Sequence, residues 1–194
     1  YSQPSGFRLF LLLCLGFYFL VKKKWLGFVI VGGLMPLARL ELSVLLVFWG
    51  WYLLKEKQYK YIPVLIVPVL LWNFAGLIIE GDWNYLYNAT IGGDNKSNRY
   101  GHTTFGHYFQ RYIYVLGPVI YIFFIAGIIN KLKQFKFDMF IWWQFITGFM
   151  LYVIFSWKLN LGNAAGFLRN LVPLSPLVAI FALEGFNFLT DSFT

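Results

Sequence analysis

"LMPLARLELSVLLVFWGW" spans Leu34–Trp51 and places two opposite charges, Arg39 and Glu41, in an otherwise apolar stretch just after Pro36. Composition sharpens the question of why they are there. The 194-residue chain is 59% hydrophobic and 22% aromatic, but only 12% charged, with a mean hydropathy of +0.64. A soluble domain carries roughly twice that charge, about 25%. The expected fold is therefore all-α, a polytopic transmembrane helix bundle, and a charge inside one of its segments needs a reason.

Apolar runs bounded by charges or turn residues fall at 7–21, 25–38, 41–54, 61–79, 112–129, 138–157 and 171–188, about seven in all. Crossing ~30 Å of hydrocarbon takes ~20 helical residues. The runs at 25–38 and 41–54 are too short to cross comfortably, and Gly32, Gly33 and Pro36 favour a break. A short broken pair is expected at 25–54. Non-helical backbone at membrane depth is tolerated only inside protein or beside a wet cavity, which marks this pair as a candidate site.

The net charge of +8 follows topology rather than a nucleic-acid footprint. Lys22, Lys23, Lys24, Lys55, Lys57, Lys60, Lys131, Lys133 and Lys136 fall in every second connection, nine of the sixteen basic residues. The positive-inside rule makes that side cytoplasmic, with the C-terminus on it. The expected location is a membrane, the bacterial cytoplasmic (inner) membrane. Residues 1–194 read as a single transmembrane domain, expected to be the later part of a longer chain that begins before Tyr1. The stretch 80–111 reads as an external loop whose end, "TTFGHYFQRY", has the pattern of a short interfacial helix.

The other arginines follow a second pattern. Arg8, Arg39, Arg111 and Arg169 each precede a span running from outside to inside. Cations at helix N-termini do not help the helix, but they make sense around a shared anion such as a phosphate. Snorkelling toward headgroups is the competing explanation, and it suits Arg8 and Arg111 better than Arg39. Arg39 and Glu41 are two apart and would not face each other on a regular helix. Glu41 fits a first helical turn, a contact to Arg39 or a sugar hydroxyl, and the sequence leaves these open.

Three stretches resemble the polytopic GT-C glycosyltransferases, in particular the dolichyl- or polyprenyl-phosphate-sugar mannosyltransferase-like group. "GGLMPLARLELSVLL" is similar to a segment in which Arg-x-Glu follows a Gly-rich helix, although Leu40 stands where the group usually has Pro. "FGHYFQRYIYVLGPVIYIFFIAGI" looks like an external helix leading into a Gly-Pro span, and "NAAGFLRNLVPLSPLVAIFALEGF" like the entry to a late helix. The resemblance covers 32–186 in order. It implies transfer of a sugar from a polyprenyl-phosphate-linked donor to a protein, lipid or glycan acceptor at the extracytoplasmic face, with membrane lipid as a further partner.

In such chemistry a carboxylate serves as base and cations stabilise the departing phosphate. The resemblance gives Arg39 and Arg169 the phosphate role, and the candidate substrate-binding set is Arg39, Glu41, His107, Arg111 and Arg169. The group's acidic motif, from the first external loop, has no counterpart here and is expected before Tyr1. Glu80 and Asp82 are the substitute catalytic candidates, beside the plainer reading of two solvated acids ending a helix. The alternatives are a transporter or flippase-like carrier, and a non-catalytic membrane subunit of a larger complex.

His102 and His107 lie near Asp94 in sequence but match no zinc spacing, so no metal site is assigned; the lipid-phosphate sugar is expected as a substrate, and the sequence leaves a divalent metal open. "NAT" at Asn88 and "NKS" at Asn95 are glycosylation sequons in form. Trp49, Trp51, Trp142 and Trp143 read as lipid-facing or interfacial anchors.

Overall fold

The computed structural model describes residues 5–88, 104–134, 139–159 and 168–191, and among them the regular structure is helical with no strand. The order is α1 (Ser5–Val21), α2 (Trp25–Ala38), a 3₁₀ segment (Leu40–Val44), α3 (Leu45–Lys55), 3₁₀ turns at Tyr59–Tyr61 and Pro63–Leu65, α4 (Val67–Glu80), a single turn α5 (Tyr85–Tyr87), α6 (His107–Leu116), α7 (Pro118–Gln134), α8 (Met139–Ile154), a π-type turn (Phe155–Leu159), a 3₁₀ segment (Leu168–Leu174) and α9 (Ser175–Asp191). The helical stretches Tyr59–Glu80, Phe140–Trp157 and Asn170–Asp191 are long and apolar enough to cross a membrane, consistent with a membrane protein. They coincide with the runs expected at 61–79, 138–157 and 171–188. α1, α2 and α3 are apolar but shorter, so the described residues contain three helices long enough to span, or four with the pair discussed next.

The expected span at 112–129 is not one helix. α6 and α7 meet at 119° across Gly117, and only as a bent pair would they make a fourth span. Gly117 has φ 75 and ψ 156, a backbone region essentially confined to glycine, and Pro118 then opens α7. α6 thus runs across the direction of its successor, burying Tyr108 and Tyr112 and exposing Phe109, Gln110, Arg111 and Tyr114.

The 25–54 pair is broken as expected, but at a different point. α2 continues through Gly32, Gly33 and Pro36 and stops at Arg39, which is extended with φ −154 and ψ 109. The glycines are contact points rather than breakers. A Cβ on Gly32 would meet the Trp49 ring at 2.6 Å, and one on Gly33 would meet the Leu65 carbonyl at 2.6 Å. Gly16 of α1 takes up the other side of Trp49, where a Cβ would collide with the indole. Trp49 is fully buried, stacks on Phe28 at 4.1 Å between centroids and donates from Nε1 to Gln144 Oε1 at 2.9 Å. It is a core residue, not a lipid anchor, because two glycines leave it a slot and Gln144 takes its N–H. Trp142 is also buried, whereas Trp51 and Trp143 are exposed.

α7 and α9 form the most extensive helix pair among the described residues. Gly127 and Gly185 bring their backbones into contact: a Cβ on Gly127 would collide with the Phe181 carbonyl, and one on Gly185 with that of Phe123. Small residues allow this approach where apolar burial offers no drive between helices in lipid. Lys131 and Glu184 close the same seam with a 2.8 Å ion pair.

Phe140, at the start of α8, packs against Phe17, Phe28, Trp49 and Tyr52, at 4.7 Å from the last. The lysine-bearing turns after α1, after α3 and at the end of α7 therefore gather at one end of the bundle. The break at Arg39 lies at the other.

Candidate anion-binding site

Arg39 ends α2, and its own N–H still donates to Met35 O at 3.0 Å. It occupies a helix C-terminus, where positive charge is favourable. The extended backbone turns its half-buried side chain toward α8 and the turn before α9. Nη1 donates to the Tyr152 hydroxyl at 3.3 Å, and Nη2 to Asn170 Oδ1 at 3.2 Å. The guanidinium carbon lies 5.8 Å from the Tyr152 ring centroid. Tyr108 of α6 places its hydroxyl beside Ser156 and Asn170, in the field of Arg39.

Five segments thus meet here: the α2 end, α6, α8, the π-type turn carrying Ser156, and the Leu168–Leu174 segment carrying Asn170. π-type turns often mark functional positions in helices.

Every partner of the guanidinium among the described side chains is neutral. Among the described residues no carboxylate lies within ion-pair distance of Arg39, and two donors in the cluster are unspent. These are Arg39 Nε and Nδ2 of Asn170, a residue only 2% exposed. A buried cation normally has an acid beside it, and buried donors are normally satisfied. A positive group surrounded by hydroxyls and open N–H donors is built to receive an anion.

The other expected residues are placed differently. Arg8 is exposed on α1, a helix that packs against the Leu168–Leu174 segment, and Arg111 is exposed on α6. Neither is among the contacts of Arg39, so the gathering of arginines expected around one anion is reduced to Arg39 in the described side chains. The side chains of Glu41 and Arg169 lie outside them, although Arg169 adjoins Asn170 in the chain. His107 is half-buried, edge-on to Tyr108 at 5.4 Å between centroids, and so borders the cluster.

Glu80 is exposed at the end of α4, before the left-handed Gly81. Asp82 accepts from Asn84 N at 2.8 Å and from Asn88 Nδ2 at 2.7 Å. It ties down the turn after α4, the work of an Asx residue. His102, Asp94 and Asn95 lie outside the described residues. Among those described, no three His, Cys, Asp or Glu side chains come together as a metal site.

Tyr108, Tyr152, Ser156 and Asn170 do not stand out in the sequence. The available signal was polar side chains inside apolar helical runs, a weaker mark than a formal charge. No known protein family, curated protein or solved structure matches the chain.

Proposed function

We propose that this chain is a polytopic membrane protein that holds the phosphate of a polyprenyl-phosphate-linked sugar at Arg39 and takes part in moving the sugar to an acceptor at the extracytoplasmic face. The observation that supports the reading is the Arg39 cluster: a cation with no acid beside it among the described side chains, two unspent donors, and hydroxyls from three elements. It lies at the end of the bundle opposite the lysine-bearing turns. By the positive-inside rule the lysine end is cytoplasmic, so the cluster faces outward. α6, amphipathic and steeply bent from α7, has the form of a helix lying in the outer interface with Tyr108 turned in.

In this role Arg39 compensates the charge that builds on the phosphate as the sugar departs, and the Tyr152, Tyr108 and Asn170 groups orient it. The acceptor hydroxyl needs a base. Asp82 is engaged in its own turn, which leaves exposed Glu80, and Glu41, whose side chain lies outside the described ones, as the candidate acids.

The engagement of Asp82 favours a second reading, a non-catalytic membrane subunit that binds the same lipid phosphate. One experiment separates the two. The purified chain in nanodiscs is given a radiolabelled polyprenyl-phosphate sugar, and binding and transfer are measured for wild type, Arg39→Gln and Arg39→Lys. A charged hydrogen bond is worth about 1.5–3 kcal/mol, so Arg39→Gln weakens binding by roughly 10- to 150-fold. Arg39→Lys recovers only part, because an ammonium cannot hold Tyr152 and Asn170 in one planar fork. Binding without transfer supports the subunit reading. Unchanged binding in both variants overturns both.

A further inference from the structure

The two helices that end beside one another at the lysine-rich end stop in the same way. After α1, Lys23 N donates to Leu20 O at 2.9 Å and Lys24 N to Phe19 O at 2.9 Å. After α3, Lys57 N donates to Leu54 O at 3.1 Å and Gln58 N to Leu53 O at 2.8 Å. Both are the paired bonds of a Schellman cap, whose left-handed position is usually glycine. Here that position is lysine both times, with φ 53 at Lys23 and φ 56 at Lys57, the non-glycine residues with positive φ among those described. A side chain in this region is strained, and glycine would relieve the strain at no cost in backbone bonding. Retaining lysine at both caps points to a use for the ammonium groups.

The surroundings are basic and aromatic. Trp25 lies 6.5 Å from Tyr52, which draws the two turns together. Lys22, Lys23, Lys24, Lys55, Lys57 and Lys60 are all exposed, with Glu56 as the acid beside them. Among the described residues none of these lysines has an ion-pair partner; Lys60 lies over the Tyr61 ring at 5.0 Å. Exposed Tyr59 and half-buried Trp25 and Tyr61 supply the aromatic girdle typical of headgroup depth.

We infer that the paired Lys23 and Lys57 caps form a docking surface for anionic phospholipid headgroups of the leaflet at the lysine-rich end, separate from the Arg39 site. Both lysines are exposed at a helix end, where a long flexible stem can carry the ammonium to a phosphodiester at headgroup depth. The flanking lysines add the diffuse attraction of a basic juxtamembrane segment.

The test uses the purified full chain in neutral detergent, titrated with phosphatidylglycerol or phosphatidylcholine, with melting temperature and bound lipid as readouts. Phosphatidylglycerol is expected to raise the melting temperature of the wild type more than phosphatidylcholine does. Lys23→Gly and Lys57→Gly should melt at or above the wild-type temperature without anionic lipid, because the strain is removed. They should also bind phosphatidylglycerol about fivefold more weakly each and roughly thirtyfold more weakly together. Lys23→Arg with Lys57→Arg keeps the charge and retains the lipid effect. Equal stabilisation by the two lipids, or glycine variants that keep wild-type affinity for phosphatidylglycerol, overturns the inference. So do glycine variants that melt lower without lipid, which would make the lysines merely structural.

Discussion

Arg39 Nη2 donates to Asn170 Oδ1 across 3.2 Å, linking the break after α2 to the turn that opens α9, 131 residues later. The bond uses the acceptor side of the amide and leaves Nδ2 without a partner among the described residues. Asn170 therefore holds the guanidinium without neutralising it. An aspartate in its place would hold it just as well and cancel its charge.

Asn170→Asp is expected to separate stability from binding. The variant gains an ion pair at the site and should melt at or above the wild-type temperature in neutral detergent. Its affinity for a polyprenyl-phosphate headgroup should fall by at least about tenfold, since the new carboxylate competes with phosphate for the same fork. Thermal melting and headgroup binding on the same preparation check this. A variant that melts higher and still binds would mean that the Arg39 charge serves packing alone.

Trp49 and Gln144 make a test of the core by double substitution. Trp49→Phe keeps the stacking on Phe28 but leaves Gln144 Oε1 without its donor, a cost of about 1–3 kcal/mol. Gln144→Leu alone strands the indole N–H at a similar cost. The two together remove both polar partners, and the pair should destabilise by less than the sum of the single changes. Chemical or thermal unfolding in detergent reads the coupling. Additive losses would show that the Trp49–Gln144 bond contributes little.

These pairs show what the sequence could and could not disclose. A formal charge in an apolar run stands out against its neighbours, so Arg39 was legible, as was the presence of a break in the 25–54 pair though not its position. The three long spans were legible for the same reason, their length and lack of charge. Trp49 was not, because a tryptophan in an apolar helix has the same pattern whether it meets lipid or a slot between Gly16 and Gly32. Those partners come from α1 and α2, and helical periodicity says nothing about which helices are neighbours. Gly32 and Gly33 were read as breakers on local propensity, but tertiary contact turned their missing side chains into packing surface. Asn170 was overlooked beside Arg169, since a neutral amide carries little signal until its distant partner is known.

Gly117 tests the bend that carries Tyr108 into the cluster. Its φ of 75 with ψ of 156 is closed to side chains, so Gly117→Ala must move the backbone at the α6–α7 corner. The expected cost is about 1–3 kcal/mol, with a loss of headgroup binding, because Tyr108 leaves Ser156 and Asn170. Gly106→Ala, just before α6, is the control: a Cβ there meets only Gln110, at 3.6 Å, and should leave both unchanged. Wild-type melting and binding in Gly117→Ala would show that the corner is not held by glycine.

The α7–α9 seam gives the sharpest steric prediction. A single methyl at Gly127 or Gly185 would press on backbone rather than on the movable end of a side chain, so the helices must separate. Separation also stretches the Lys131–Glu184 pair, whose Glu184 Oε2 is already buried without a hydrogen-bond partner among the described residues. Overpacking of this kind costs about 1–3 kcal/mol, and Gly127→Leu should exceed Gly127→Ala. None of the side chains of the Arg39 cluster lies on α7 or α9, so headgroup affinity in the surviving folded fraction should change little. Melting curves with a binding assay on the folded fraction test both halves. A Gly127→Leu protein as stable as wild type would mean that the two backbones do not touch.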